Sequence, residues 1–172
     1  MEENKNKSSS IMNEIERIKN QLSKTFDGES WTGPSVMEVL KDVEPEKAAS
    51  RPIPEAHSIW ELAEHMNSTI ENVIRRLKGD FSQFTDEMDW PKVTDTSKKS
   101  WDDLISRLNA SHSELLSEVS KLSQDILEKP MKEGFSSYYL TLHGLVQHNQ
   151  YHLGQISILK KGYFSTEGMM SH

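Results

Sequence analysis

Apolar residues along the chain fall into four long stretches with helical spacing. In the first, Ile11, Ile15, Ile18 and Leu22 recur at intervals of 4, 3 and 4, which puts them on one face of a helix. That helix is expected to start near Ser10 and to end near Phe26, where Asp27-Gly28 breaks the pattern. A Gly33-Pro34 turn follows, Ser35 is placed to cap, and Val36, Val39 and Leu40 suggest a short helix. The segment PEKAASRPIPEA reads as irregular, because three prolines fall between positions 45 and 54. The second long helix has the clearest start. Ser58 and Glu61 form a capping box, in which the hydroxyl accepts from one free amide and the carboxylate reaches back to another. Ile59, Leu62, Met66, Ile70, Val73 and Leu77 continue the apolar face until Gly79 stops it.

Residues 80–99, DFSQFTDEMDWPKVTDTSKK, carry no period. A connection this long is expected to cross over the molecule rather than turn tightly. The third helix opens at Ser100, with Asp102 and Asp103 in its first turn, and its apolar positions, Leu104, Ile105, Leu108, Leu115, Leu116, Val119 and Leu122, carry it to about Asp125. Pro130 and Gly134 punctuate the next link. The fourth helix runs from about Tyr138 to Lys161, with Lys160 and Lys161 in its last turn and Gly162 just past its end. The pattern predicts an all-α protein, a four-helix bundle with a long crossover between helices two and three. Residues 1–9 are expected to be a flexible tail, 10–165 the bundle, and 166–172 a second tail.

Composition narrows the chemistry. The 172 residues contain no cysteine, which excludes a disulfide scaffold, an iron–sulfur cluster and a cysteine nucleophile. Acidic residues outnumber basic ones 27 to 20, giving a formal charge of −7, without the basic footprint of a nucleic-acid binder. Mean hydropathy is −0.69 and no apolar run approaches the length of a membrane span. The opening MEENKNKSSS lacks the apolar stretch of a secretory signal, so the cytoplasm is the expected location.

Any metal must then be held by His, Asp or Glu, and the seven histidines are the informative residues. Leu145, His148, His152, Ile156 and Leu159 follow one another at intervals of 3, 4, 4 and 3, so two imidazoles interrupt an apolar stripe. Residues at i and i+4 are neighbours on a helix, and two such rings can converge on one ion. Two core-edge histidines bonded to a carboxylate and a carbonyl would satisfy the same pattern. A third donor from another helix decides between them, and His65, bordering the apolar face of helix two, is the candidate. His57 precedes it by eight residues, a rise of about 12 Å along a helix, and is expected to pack over the first turn instead. His143 points elsewhere around helix four, His112 is expected to be solvated, and His172 is terminal. Gln155, near the ligand face, reads as a core-edge amide, with a contact behind the ligands or to a substrate as the alternative; Glu64 reads as a surface residue, and the four tryptophans as residues that bury area, with the lining of a pocket mouth as the alternative.

The run HSIWELAEHM, followed some eighty residues later by HGLVQHNQYHLGQISILKK, resembles the DinB/YfiT-like metal-binding four-helix bundles. WTGPSVMEVL and AASRPIPEAHSIWE strengthen the likeness, which extends from about residue 11 to 163. The resemblance implies a divalent metal bound by His65, His148 and His152, and a crossover between the second and third helices. Imidazoles suit zinc, nickel, iron and copper alike, and zinc or nickel is expected first. It also implies a choice of chemistries: transfer of a low-molecular-weight thiol to electrophilic small molecules, or metal-dependent hydrolysis. A non-catalytic bundle whose ion only stabilises the core is the other class of reading. A homodimer is expected from the resemblance, and no catalytic residue beyond the ligands declares itself.

Overall fold

The computed structural model describes residues 12–167, with side chains given as far as residue 162. Among the described residues are seven α-helices, a short 3-10 turn at Gln124–Ile126 and two isolated bridges, but no strand. The fold is all-α, as expected. The helices are α1 (Glu14–Phe26), α2 (Val36–Leu40), α3 (Pro45–Ala49), α4 (Ile59–Leu77), α5 (Asp86–Asp89), α6 (Lys98–Ser120) and α7 (Tyr138–Glu167). None of them is long and apolar enough to cross a membrane.

Local chemistry sets most of the boundaries. Asn13 caps α1, its side-chain oxygen accepting from the Glu16 amide at 2.9 Å, so the helix begins later than the expected Ser10. Ile11 and the proposed tail at 1–9 lie outside the described residues. In α4 both halves of the capping box form: Ser58 N–H donates to Glu61 Oε2 at 2.8 Å and Glu61 N–H to Ser58 Oγ at 3.2 Å. Gly79, at φ 85°, ends the helix in the left-handed region that glycine adopts without strain. Ser97 caps α6, accepting from Ser100 N–H, and the helix therefore starts before Ser100 and stops at Ser120, short of Asp125. Two short helices occupy segments read as patternless. Pro45 opens α3, where its fixed φ suits a first helical turn, and Thr85 caps α5. The fourth long helix does not end at Gly162 but continues to Glu167, into the proposed second tail; residues 168–172 of that tail lie outside the described ones. Gly162 lies within the helix beside Pro52, where a Cβ would make an ordinary contact at 3.7 Å.

The four long helices pack in a closed ring, α4 against α6 and α7, and α1 against α6 and α7. Pairs across the interfaces give their directions. Glu64 meets Arg107, Asn67 meets Ser111 and Lys78 meets Glu114, so α4 and α6 run parallel. Leu62 lies with Leu159 and Val73 with Leu145, so α7 runs antiparallel to α4. Two parallel neighbours in sequence require the chain to travel back the length of a helix. The stretch between α4 and α6 does this, as the crossover reading expected. The interior is filled by the side chains that the periodic pattern singled out, among them Ile18, Leu22, Leu62, Met66, Ile70, Leu108 and Ile156. Each such aliphatic chain stabilises the fold by roughly 1.5–3 kcal/mol through burial.

Candidate metal centre

His65 projects from the middle of α4, and His148 and His152 from successive turns of α7. Because the two helices are antiparallel neighbours, the three rings meet between them. One nitrogen from each lies within 4.8 Å of the others, with His65 and His152 buried and His148 partly so. His65 Nε2 and His148 Nε2 are 2.9 Å apart. Among the described residues no other group of His, Asp or Glu forms such a cluster, and no carboxylate joins this one.

The proton positions follow from the outer partners. His65 Nδ1 faces only acceptors, the Asp89 backbone oxygen at 2.8 Å and Asp89 Oδ1 at 3.1 Å, so Nδ1 carries its proton and Nε2 presents a lone pair. His152 Nδ1 donates to Gln155 Oε1 at 2.7 Å, which again leaves Nε2 free. This is the state that metal-ligating imidazoles take when an oxygen holds their second nitrogen. His148 must then donate from Nε2 to His65, and its buried Nδ1 has no hydrogen-bond partner. Burial pushes the His148 pKa down to about 4, helped by the neighbouring His152 and His65 rings. Burial also lowers that of His152, against the opposing Gln155 hydrogen bond. His148 and His152 are therefore held in the neutral form that metal ligands need. Three converging imidazoles, an orphaned buried nitrogen on His148 and oriented outer partners on His65 and His152 all fit a divalent cation.

The crossover completes the centre. It runs back along α4, where Ser68 Oγ donates to the Met88 carbonyl and Asp89 holds His65. Trp90 then lies flat on His65, and His57 stacks on Trp90 with ring centroids again 3.9 Å apart. Sequence reasoning missed Asp89 and treated Trp90 as mere packing. The acid and aromatic run DEMDW of residues 86–90 was the only available signal, and nothing local said where it would dock. Gln155, read as a bland amide, holds a ring of the cluster; its position three residues after His152 was the signal for that.

The remaining histidines sort as the helix geometry requires, with one exception. His57 packs over the start of α4, its Nδ1 3.7 Å from Glu61 Oε2. His143 faces α1, 3.7 Å from Glu14 Oε1. His112, expected in solvent, is buried instead: it stacks on Phe26 with centroids 3.9 Å apart and neither ring nitrogen has a partner. The facing α1 helix covers that side of α6. Among the tryptophans, Trp60 and Trp101 bury area together, 5.0 Å apart, while Trp31 is exposed. Glu64 pairs with Arg107, and His172 lies outside the described residues.

Two cavities flank the three rings along the α4–α7 groove. One, of about 330 Å³, lies toward the start of α4 and is walled by Ile53, Leu62, Ile158 and Leu159, with His57 and Gln155 at its polar side. The other, of about 270 Å³, lies toward the end of α4 and includes His148.

The fold and site define an all-α protein with a three-histidine centre able to hold a metal ion. Residues 30–156, more than half of the chain, match the family model of the DinB superfamily. The chain belongs to that superfamily. Neither the curated proteins nor the solved structures compared with it gave a match.

Proposed function

We propose that His65, His148 and His152 hold one divalent metal ion, zinc or nickel, and that the protein transfers a low-molecular-weight thiol to small electrophiles. The donor set carries this reading. Three imidazoles with no fourth protein ligand among the described residues leave a coordination position for an outside molecule, as in catalytic rather than closed structural sites. A divalent ion held by these three residues would favour the deprotonated form of a thiol that reaches it. The chain's own residues do the rest. Asp89 and Gln155 orient two of the rings, and Trp90 keeps water from one face of His65.

The apolar cavity beside Gln155 suits the electrophile. Ile53, Leu62, Ile158 and Leu159 offer it a hydrocarbon wall, and His57 and Glu55 are the groups on that wall able to exchange a proton. In the transfer, a sulfur lone pair forms the new S–C bond. The leaving group departs with the electrons of the broken bond; with an epoxide, the C–O bond opens and its oxygen takes up the proton the thiol gave. The location that fits this chemistry is the cytoplasm, where small thiols are kept reduced.

The test is to load the protein with zinc or with nickel and supply a thiol and 1-chloro-2,4-dinitrobenzene. Metal-dependent formation of the thioether, lost in His148→Ala and with chelator, is expected. Ester hydrolysis without any thiol would replace this reading with a hydrolase. A metal-loaded protein inert in both assays would leave the ion a structural role.

A further inference from the structure

The second cavity, on the His148 side, has a construction that the transferase reading does not use. On α4, His65, Thr69, Asn72 and Arg76 follow at intervals of 4, 3 and 4, a single line along one helix face. Thr69, Asn72 and Arg76 line the cavity from α4, and Thr141 and His148 from α7. The line therefore leads from the metal centre to a guanidinium.

The Arg76 side chain has no ion pair or hydrogen bond among the described residues. Its guanidinium carbon sits 5.4 Å above the Phe135 ring, and Phe135 meets Phe81 edge-on at 5.0 Å. On the far side of that pair, Lys132 sits 5.4 Å above Phe81. An aromatic face fixes a guanidinium without neutralising it, leaving its N–H edge free for a forked contact. No acidic residue lines this cavity, although acids outnumber bases in the chain as a whole. Asn72 is 7% exposed, and no described residue bonds its side-chain amide. A half-buried unpaired cation beside an amide that no described residue bonds forms a site for an anion that also carries hydrogen-bonding groups.

We infer that Arg76, seated on Phe135 and assisted by Asn72, anchors a carboxylate of the thiol cosubstrate in the α4–α7 cavity. This rests on the reading of the histidine centre as the place where a thiol reacts. Arg76 lies 11 residues after His65, a rise of roughly 16 Å along the helix, and the cavity between them is lined by both Arg76 and His148. The ligand class is thus a peptide-sized thiol with a carboxylate several bonds from its sulfur, rather than a bare alkyl thiol. The apolar cavity on the other side of the rings is left for the electrophile, so the two reactants approach the centre from opposite ends of one groove.

The experiment is calorimetric titration of the metal-free and the zinc-loaded protein. The probes are glutathione, its S-methyl derivative, which keeps the carboxylates but blocks the thiol, and its diethyl ester, which keeps the thiol but blocks the carboxylates. Wild-type protein is expected to bind S-methylglutathione with or without zinc. Arg76→Gln should weaken that binding at least tenfold and Phe135→Leu should weaken it in the same direction. Arg75→Gln, on a residue tied to Asp80 and Ser82, should change it less than twofold. The diethyl ester should bind at least tenfold more weakly than glutathione. Thermal unfolding of each variant reports whether it is folded. Equal binding by Arg76→Gln, equal binding of the diethyl ester, or no wild-type binding at millimolar peptide would each overturn the anchor. Displacement of the peptide by equimolar inorganic phosphate would reassign the anchor to phosphate and overturn the carboxylate proposal. Arg76-dependent binding of S-methylglutathione without any thioether formation would sink the transferase and keep the anchor. Thioether formation unaffected by Arg76→Gln would do the reverse.

Discussion

Trp90 lies parallel to His65, with ring centroids 3.9 Å apart and planes 2° from parallel. One residue earlier, Asp89 holds the outer nitrogen of the same ring from both its backbone and its side chain. A single turn of the crossover thus fixes the tautomer, the plane and one solvent face of His65. The helix that carries His65 supplies only its position.

The first prediction concerns metal content. His65→Ala, His148→Ala and His152→Ala should each purify with little bound zinc or nickel, whereas His57→Ala and His143→Ala should retain wild-type occupancy. An ion that binds only the folded chain stabilises it by about 4 kcal/mol at a thousandfold excess over its dissociation constant. Added zinc should therefore raise the melting temperature of wild type and of the two control variants, and not of the three ligand variants. Elemental analysis of untagged protein together with thermal scans decides it. Full occupancy in all three ligand variants would dismiss the site.

The second prediction isolates the crossover. Asp89→Ala removes the carboxylate but leaves the backbone oxygen on His65, so the ring keeps one of its two acceptors. Metal affinity should fall by about tenfold, the lower end of what oriented outer partners contribute. Trp90→Ala should weaken it further, because it also uncovers the ring face. Competition with a chromophoric chelator measures both. Unchanged affinity in both variants would mean that the loop only covers the helix.

The third prediction tests Gln155. Replacing it with Leu keeps the volume close but removes the acceptor from His152 Nδ1. Metal affinity should drop by roughly tenfold with the helix content unchanged by circular dichroism. Gln155→Glu, which restores an acceptor, should recover most of it. Equal losses in the Leu and Glu variants would assign the effect to packing rather than to ring orientation.

The fourth prediction is a pH dependence away from the centre. Burial pushes the His112 pKa down to about 4, opposed only in part by the Asp27 carboxylate. In the unfolded chain the ring titrates near 6.5. Between those values the unfolded state binds more protons than the folded one, so stability falls as pH drops from about 6.5 toward 4 and is unaffected above that window. From pH 7.5 to 5 this ring alone should cost about 2 kcal/mol. His112→Phe, which keeps an aromatic ring against Phe26, should lose that much less stability over the same range. Urea unfolding of the metal-free protein at the two pH values measures the difference. Parallel losses in wild type and variant would show that His112 is already protonated or solvated in the folded state.

The amino-acid sequence by itself determined the all-α class, the four long helices and the inward faces of α4 and α7. Apolar period and capping act within a few residues, and short-range physics can be read in order along the chain. The same reading placed His148 and His152 on one face and His65 on the edge of another, because helical spacing fixes which side chains share a side. It misjudged helix ends where a nearby cap lay outside the apolar stripe, at Asn13 and Ser97, and where the helix runs on through a glycine, at Gly162. Only the tertiary structure decided that Asp89 and Trp90 belong to the histidine centre and that His112 is buried under Phe26. It alone showed that Arg76 faces the same groove without a counter-charge. Each of these depends on which elements pack together across the bundle, and residues 80–97 have no period from which their docking could be inferred. The direction in which the crossover returns along α4 is set by the parallel packing of α4 and α6, a relationship between segments rather than a property of either one.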